Sequence, residues 1–205
     1  MEYKERILWK AHELFNRSGF RRVTMDEIAL KTGMSKKTIY QLFANKDEIV
    51  DAVVAELINK SIYTCEQNVV KAENAVHEIF LNIQMIEEMM CDMNPSVYED
   101  MEKFFPTVYQ KFFQYKNDYI LKKVRKNIER GIEEGLFREE LNVDIISKFR
   151  IATLFIPFNQ DVYPYARYNL TDVEVETIEL YLYGIATIEG QKLIQKYKQQ
   201  RKKNI

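Results

Sequence analysis

Apolar residues recur along this chain at helical spacing almost from end to end. In residues 2–17, Ile7, Leu8, Ala11, Leu14 and Phe15 form one stripe, which predicts a first amphipathic helix. Trp9 lies off that stripe. Arg17-Ser18-Gly19 ends the helix, and Phe20 and Val23 are the apolar pins of a short connector. Thr24-Met25-Asp26-Glu27 then has the form of a capping box, with Met25, Ile28 and Ala29 inward on a short second helix. Gly33 falls where a left-handed turn is needed. Ser35 offers the next N-cap, Ile39, Leu42 and Phe43 the next inner face, and Asn45 with Glu48 a further cap pattern. From Lys46 a long helix is predicted to Val69 or Val70, with Ile49, Val50, Val53, Leu57 and Ile58 inward near its start.

The rest of the chain continues in kind. Residues 72–92 read as a helix with Val76, Ile79, Phe80, Ile83, Ile86 and Met90 apolar, broken at Asn94-Pro95-Ser96. Pro106 suits the first turn of a long helix over 106–134. A turn through Gly135 and Asn142-Val143-Asp144 leads to a helix over 145–158, which Pro157 kinks or ends. A loop follows, then a last long helix over 173–197 with Thr171 or Asp172 as its cap. The fold class expected is all-α, about nine helices in total.

Composition narrows the function. Among 205 residues, 46% are hydrophobic and 30% charged, which is ordinary for a globular chain. No apolar run approaches the ~18 residues of a membrane span. The first ten residues lack the apolar core of a signal peptide, so the cytoplasm is the expected compartment, with Cys65 and Cys91 reduced. No Gly-rich phosphate loop, metal-ligand spacing or nucleophile motif appears, and two distant histidines make a histidine-based active site implausible. No enzyme activity, cofactor or metal is therefore expected.

The net charge of −1 hides an asymmetry: residues 1–46 carry +5 and the remainder −6. A basic head on an acidic body suits a head that meets a polyanion. The C-terminal run KYKQQRKKNI is basic too, but reads as a frayed solubilising end.

Two short capped helices joined by a tight Gly-containing turn are the helix-turn-helix unit. Its second helix would carry Lys36, Lys37, Thr38 and Tyr40 at its start and outer face, where such a unit enters the major groove. The alternative is a solvated Lys-Lys pair on an ordinary helical hairpin. From Gly19 to Val50 the run GF-x-x-VTMDEIALKTGMSKKTIYQLFANKDEIV resembles the TetR family of bacterial transcriptional regulators. Gly19, Phe20, Thr24, Ile28, Ala29, Gly33, Ser35, Ile39, Tyr40, Phe43, Lys46 and Asp47-Glu48 carry the match.

The resemblance implies a three-helix DNA-binding domain over 1–46 and a larger helical domain over 47–205 that binds an effector and dimerises. It implies a homodimeric, sequence-specific regulator, most often a repressor released from a palindromic operator on double-stranded DNA by a small apolar or aromatic molecule. The alternative is a constitutive DNA binder whose body only dimerises or binds a protein. Thr24, Tyr40 and Lys46 are expected to hold phosphates, with Ser35 capping and touching phosphate. Lys36, Lys37 and Thr38 are expected at base edges and Gln41 at the groove rim. The aromatic excess suggests an effector pocket drawn from Phe80, Ile83, Met89, Phe104, Phe105, Tyr109, Phe112, Phe113 and Phe155, unless these rings are simply core and dimer contacts. Ile151, Phe158, Tyr181, Gly184, Ile185 and Ile188 are expected at a two-fold dimer interface.

Overall fold

The computed structural model describes residues 2–203, with side chains to Arg201; residues 204–205 at the end of the basic tail lie outside the described residues. Helices α1 (Tyr3–Ser18), α2 (Met25–Thr32), α3 (Lys36–Tyr40) and α4 (Lys46–Lys71) are followed by α5 (Ala75–Met90), α6 (Ser96–Phe104) and α7 (Pro106–Gln114). A π-helical turn over Tyr115–Ile120 carries α7 into α8 (Leu121–Glu133). Then come α9 (Val143–Thr153), a 3-10 turn over Ile156–Phe158, α10 (Leu170–Ile185) and α11 (Ile188–Lys203). The described residues contain no strand, so the all-α class holds.

Packing gathers these helices into two compact units. One runs to Ser61 and takes in Asp92–Phe113; the other comprises Ile62–Cys91 and resumes at Gln114. This grouping differs from the functional division expected at residue 46, because α6 and α7 supply core to the first unit. Ile7, Leu8, Leu14 and Phe15 of α1 and Ile28 of α2 are buried together with Ile39, Phe43, Ile49 and Val53. Met101, Phe105 and Val108 belong to the same cluster. Phe20 lies edge-on to both Phe15 and Phe105, with centroids 5.1 and 5.9 Å apart, a favoured aromatic geometry. The second unit buries Val76, Phe80 and Ile83 of α5 against Ile178, Leu182 and Ile185 of α10, Phe137, and Ile194 and Tyr197 of α11.

Several element boundaries depart from the sequence expectation. A helix forms over Ser96–Phe104, where the pattern suggested only an aromatic zone. The caps of α5 and α10 are Asn74 and Asn169: Asn74 accepts from the His77 N–H, and Asn169 from those of Thr171 and Asp172. Finally, the helix expected over 173–197 is two helices. Ala186 is extended, the Arg138 N–H donates to the Ile185 carbonyl, and the Thr187 N–H to that of Leu136, both at 2.9 Å. The 136–138 turn thus takes over backbone groups that a continuous helix would pair internally. Gly190 makes this possible: a Cβ there would sit 2.1 Å from the Leu136 carbonyl oxygen.

Candidate nucleic-acid interface

The helix-turn-helix is built as its caps foretell. Thr24 Oγ1 accepts from the Glu27 N–H at 3.2 Å, Ser35 Oγ from the Thr38 N–H at 3.1 Å, and Asn45 Oδ1 from the Glu48 N–H at 3.0 Å. Gly33 turns left-handed with φ +66°. Inside, Ile28 and Ile39 are fully buried. That anchoring fixes which residues of α3 face outward. Lys36, Lys37, Tyr40 and Gln41 are exposed, Tyr40 by 49%.

The predicted DNA contacts do not share one environment. Lys36 Nζ lies 2.5 Å from Asp26 Oδ1, tying α3 to α2. Both side chains are more than half exposed, so the pair is worth little and its charge is readily exchanged for another anion. Thr38 is half-buried, and its hydroxyl lies 2.9 Å from that of Ser35. Thr24 and Ser35 are exposed but act as caps.

Lys46 differs from the phosphate contact expected of it. Its ammonium donates to the carbonyls of Phe20 (3.0 Å), Arg21 (3.2 Å) and Val23 (3.0 Å), which uses all three N–H bonds. Burial pushes this amine below its ordinary range, against the pull of Asp47 and Asp100. Lys46 is a staple between α4 and the α1–α2 connector. Lysine at that position is a strong signal in the sequence, but the sequence does not say whether its charge points outward or to backbone.

Residues 7–53 match the family model of bacterial regulatory proteins of the tetR family. Over 162 residues the chain is 25% identical to the helix-turn-helix transcriptional regulator YhgD of Bacillus subtilis, covering 76% of this chain and 84% of that protein. The helix-turn-helix region thus matches that of the TetR family. Over 158 residues the chain is 26% identical to the transcriptional repressor KstR2 of Mycobacterium tuberculosis, covering 73% of this chain and 76% of KstR2. Its fold matches that of SmeT, the repressor of the Stenotrophomonas maltophilia multidrug efflux pump SmeDEF. The TM-score is 0.69, at 19% identity over 90% of this chain and 91% of SmeT. These relatives are transcriptional regulators.

The residues expected to line an effector pocket divide between the two units. Phe105, Tyr109 and Phe112 pack with the helix-turn-helix core, and Phe104 and Phe113 are each 43% exposed. Phe80 and Ile83 are buried in the other core, while Met89 and Phe155 are half-buried in that unit. The rings of the first unit are therefore largely explained as core.

Of the expected dimer residues, Ile151, Tyr181 and Ile185 are buried within their own unit and Phe158 is half-buried. Gly184 and Ile188 are exposed. Tyr181 and Ile185 thus face inward on α10, while an outer apolar face of α9 and α10 lies largely outside the expected set. Leu180 (75% exposed), Tyr183 and Gly184 lie outward on α10, and Ile145, Phe149 and Ala152 lie outward on α9 at spacings of four and three. The missed signal was that α10 is apolar on both sides.

Proposed function

We propose that this chain is a TetR-family regulator that binds a palindromic operator as a homodimer, acts as a repressor, and is released by a small apolar or aromatic effector. In this reading residues 1–46 meet the DNA, and residues 47–205 dimerise and take the effector. The observation that carries it is the set of exposed Lys36, Lys37, Tyr40 and Gln41 on a helix whose inner face is locked by Ile39. Lys36 and Lys37 are the base readers of the proposal, since Lys donates to guanine O6 and N7. Tyr40, with Thr24 and Ser35, holds phosphates and sets register. Thr38, turned toward Ser35, is a lesser contact, and Lys46 acts through the connector.

The two-fold partner is a second copy of the chain, seated on the exposed apolar faces of α9 and α10. Exposed apolar residues repeated along one helix face are what association sites carry. The effector reading is supported by the aromatic residues of the second unit and by the similarity to SmeT, of which a triclosan complex is known. Its effect equals the difference in its affinity for DNA-competent and DNA-incompetent states. A gel-shift series with genomic fragments, repeated across a panel of apolar and aromatic compounds, tests both halves. Release by at least one compound is expected; binding that no compound alters would favour the constitutive reading.

A further inference from the structure

The connector between α1 and α2 is held almost entirely by side chains from far along the chain. Asn94 closes the end of α1: its backbone N–H donates to the Asn16 carbonyl at 2.6 Å and its side-chain amide to that of Arg17 at 3.0 Å. Asp100 is buried on α6, and its Oδ2 accepts from the Arg21 N–H at 2.9 Å, across 79 residues of sequence. The Arg21 guanidinium lies over the ring of Phe104, 4.6 Å from its centroid. Lys46 takes the connector carbonyls from the other side. Gly19 allows the close approach, since a Cβ there would lie 2.4 Å from Ser96 Oγ and 2.7 Å from Asp100 Oδ2.

Arg21 is thus fixed to α6 at two points, backbone to Asp100 and side chain to Phe104. This gives a structural partner to an exposed arginine on the connector. It also accounts for Phe104, a 43%-exposed ring that belongs to neither core.

We infer that Asp100, Phe104 and Arg21 are positioning residues for DNA recognition: α6 sets the connector, and the connector sets the start of α2 and with it the presentation of α3. The inference rests on the DNA-binding reading above. Arg21 contributes to affinity without touching phosphate, and its contribution exists only while α6 holds it.

The test is a double-mutant cycle on the full chain. Phe104→Ala and Arg21→Ala are each expected to weaken operator binding about three- to ten-fold, the scale of a cation–π contact. The double variant should be no weaker than the worse single one, because both remove one contact. The dependence of log affinity on log salt should keep its native slope, as no phosphate contact is lost. Hydrogen exchange at the Arg21 amide should quicken in Phe104→Ala and in Asp100→Asn, while amides in the α1 core stay protected. A salt slope flattened by about one in Arg21→Ala, with Phe104→Ala binding as the native chain does, would make Arg21 a phosphate contact and overturn the inference. Multiplying effects, or unchanged exchange at Arg21, would overturn it as well. If the native chain binds no DNA, the functional reading fails and takes the role in recognition with it; exchange then still decides whether α6 holds the connector.

Discussion

Lys46 shows how one side chain can organise a small domain. An ammonium that meets three carbonyls replaces the hydration it loses, and joins the first turn of α4 to a connector with no helical hydrogen bonds of its own. Lys46→Met keeps the aliphatic stem near Phe105 and removes the donors. We expect a stability loss of about 2 kcal/mol, from hydrogen bonds to a charged group that are no longer made, and a native salt slope in the DNA binding that survives. Urea denaturation and a salt titration measure the two. A full-strength fold with a slope lower by about one would return Lys46 to the phosphate contacts. At this scale the sequence was legible where chemistry is local. Thr24, Ser35 and Asn45 cap as their spacing predicts. The direction of Lys46 and the tether of Arg21 were not legible, because their partners lie 23 to 26 and 79 residues away.

At the scale of elements, the α10–α11 break shows tertiary structure overriding a continuous apolar stripe. Gly190→Ala would press a methyl into the Leu136 carbonyl, a backbone atom that cannot rotate away. A cost of about 3 kcal/mol follows from such overpacking, a fall in Tm of about 6 to 12 °C for a chain of this size. A calorimetric scan with unchanged Tm would show that the break is not held by this contact. Between α9 and α10, Arg150 donates to Glu174 Oε1 at 2.7 Å. Glu174 is fully buried, and its Oε2 has no hydrogen-bond partner among the described residues. Burial pushes the Glu174 carboxyl up to about 7 from an ordinary 4.5, although Arg150 pulls the other way. A folded-state pKa above the unfolded one means that the native state holds the proton longer. Stability contributed by the neutral acid is complete below about pH 4.5 and is lost as pH rises toward 7. Glu174→Gln mimics the neutral acid, so the variant should gain on the native chain between pH 5 and pH 8 by at most on the order of 3 kcal/mol. A difference in unfolding free energy independent of pH would contradict this account of the pair.

At the scale of the molecule, the proposed dimer places the outer face of α9 and α10 at its seam. Leu180→Arg, on a side chain already 75% exposed, should leave the isolated fold intact and shift sedimentation toward monomer. It should also weaken binding to a two-half-site duplex far more than to a single half-site. A variant that still sediments as a dimer would move the interface elsewhere. The helical class and the helix-turn-helix were legible here because periodicity and caps are written within short windows. The joining of 92–113 to the first unit was not, since Met101, Phe105 and Val108 look like any helical stripe until their partners are known. The inner and outer sides of α10 were not legible for a related reason: Ile178, Leu182 and Leu180 are equally apolar on paper, and only packing separates the inner pair from the outer residue.

The central claim is that the capped α2–α3 pair reads DNA through Lys36 and Lys37. Fluorescence anisotropy with a labelled duplex from just upstream of the coding frame, against a random duplex at matched salt, tests it most directly. The native chain should prefer the upstream duplex by about a thousandfold or more. Lys36→Ala should lower that ratio, and Tyr40→Phe should weaken both duplexes alike. No preference in the native chain, or a preference untouched when both Lys36 and Lys37 are replaced by alanine, would contradict it.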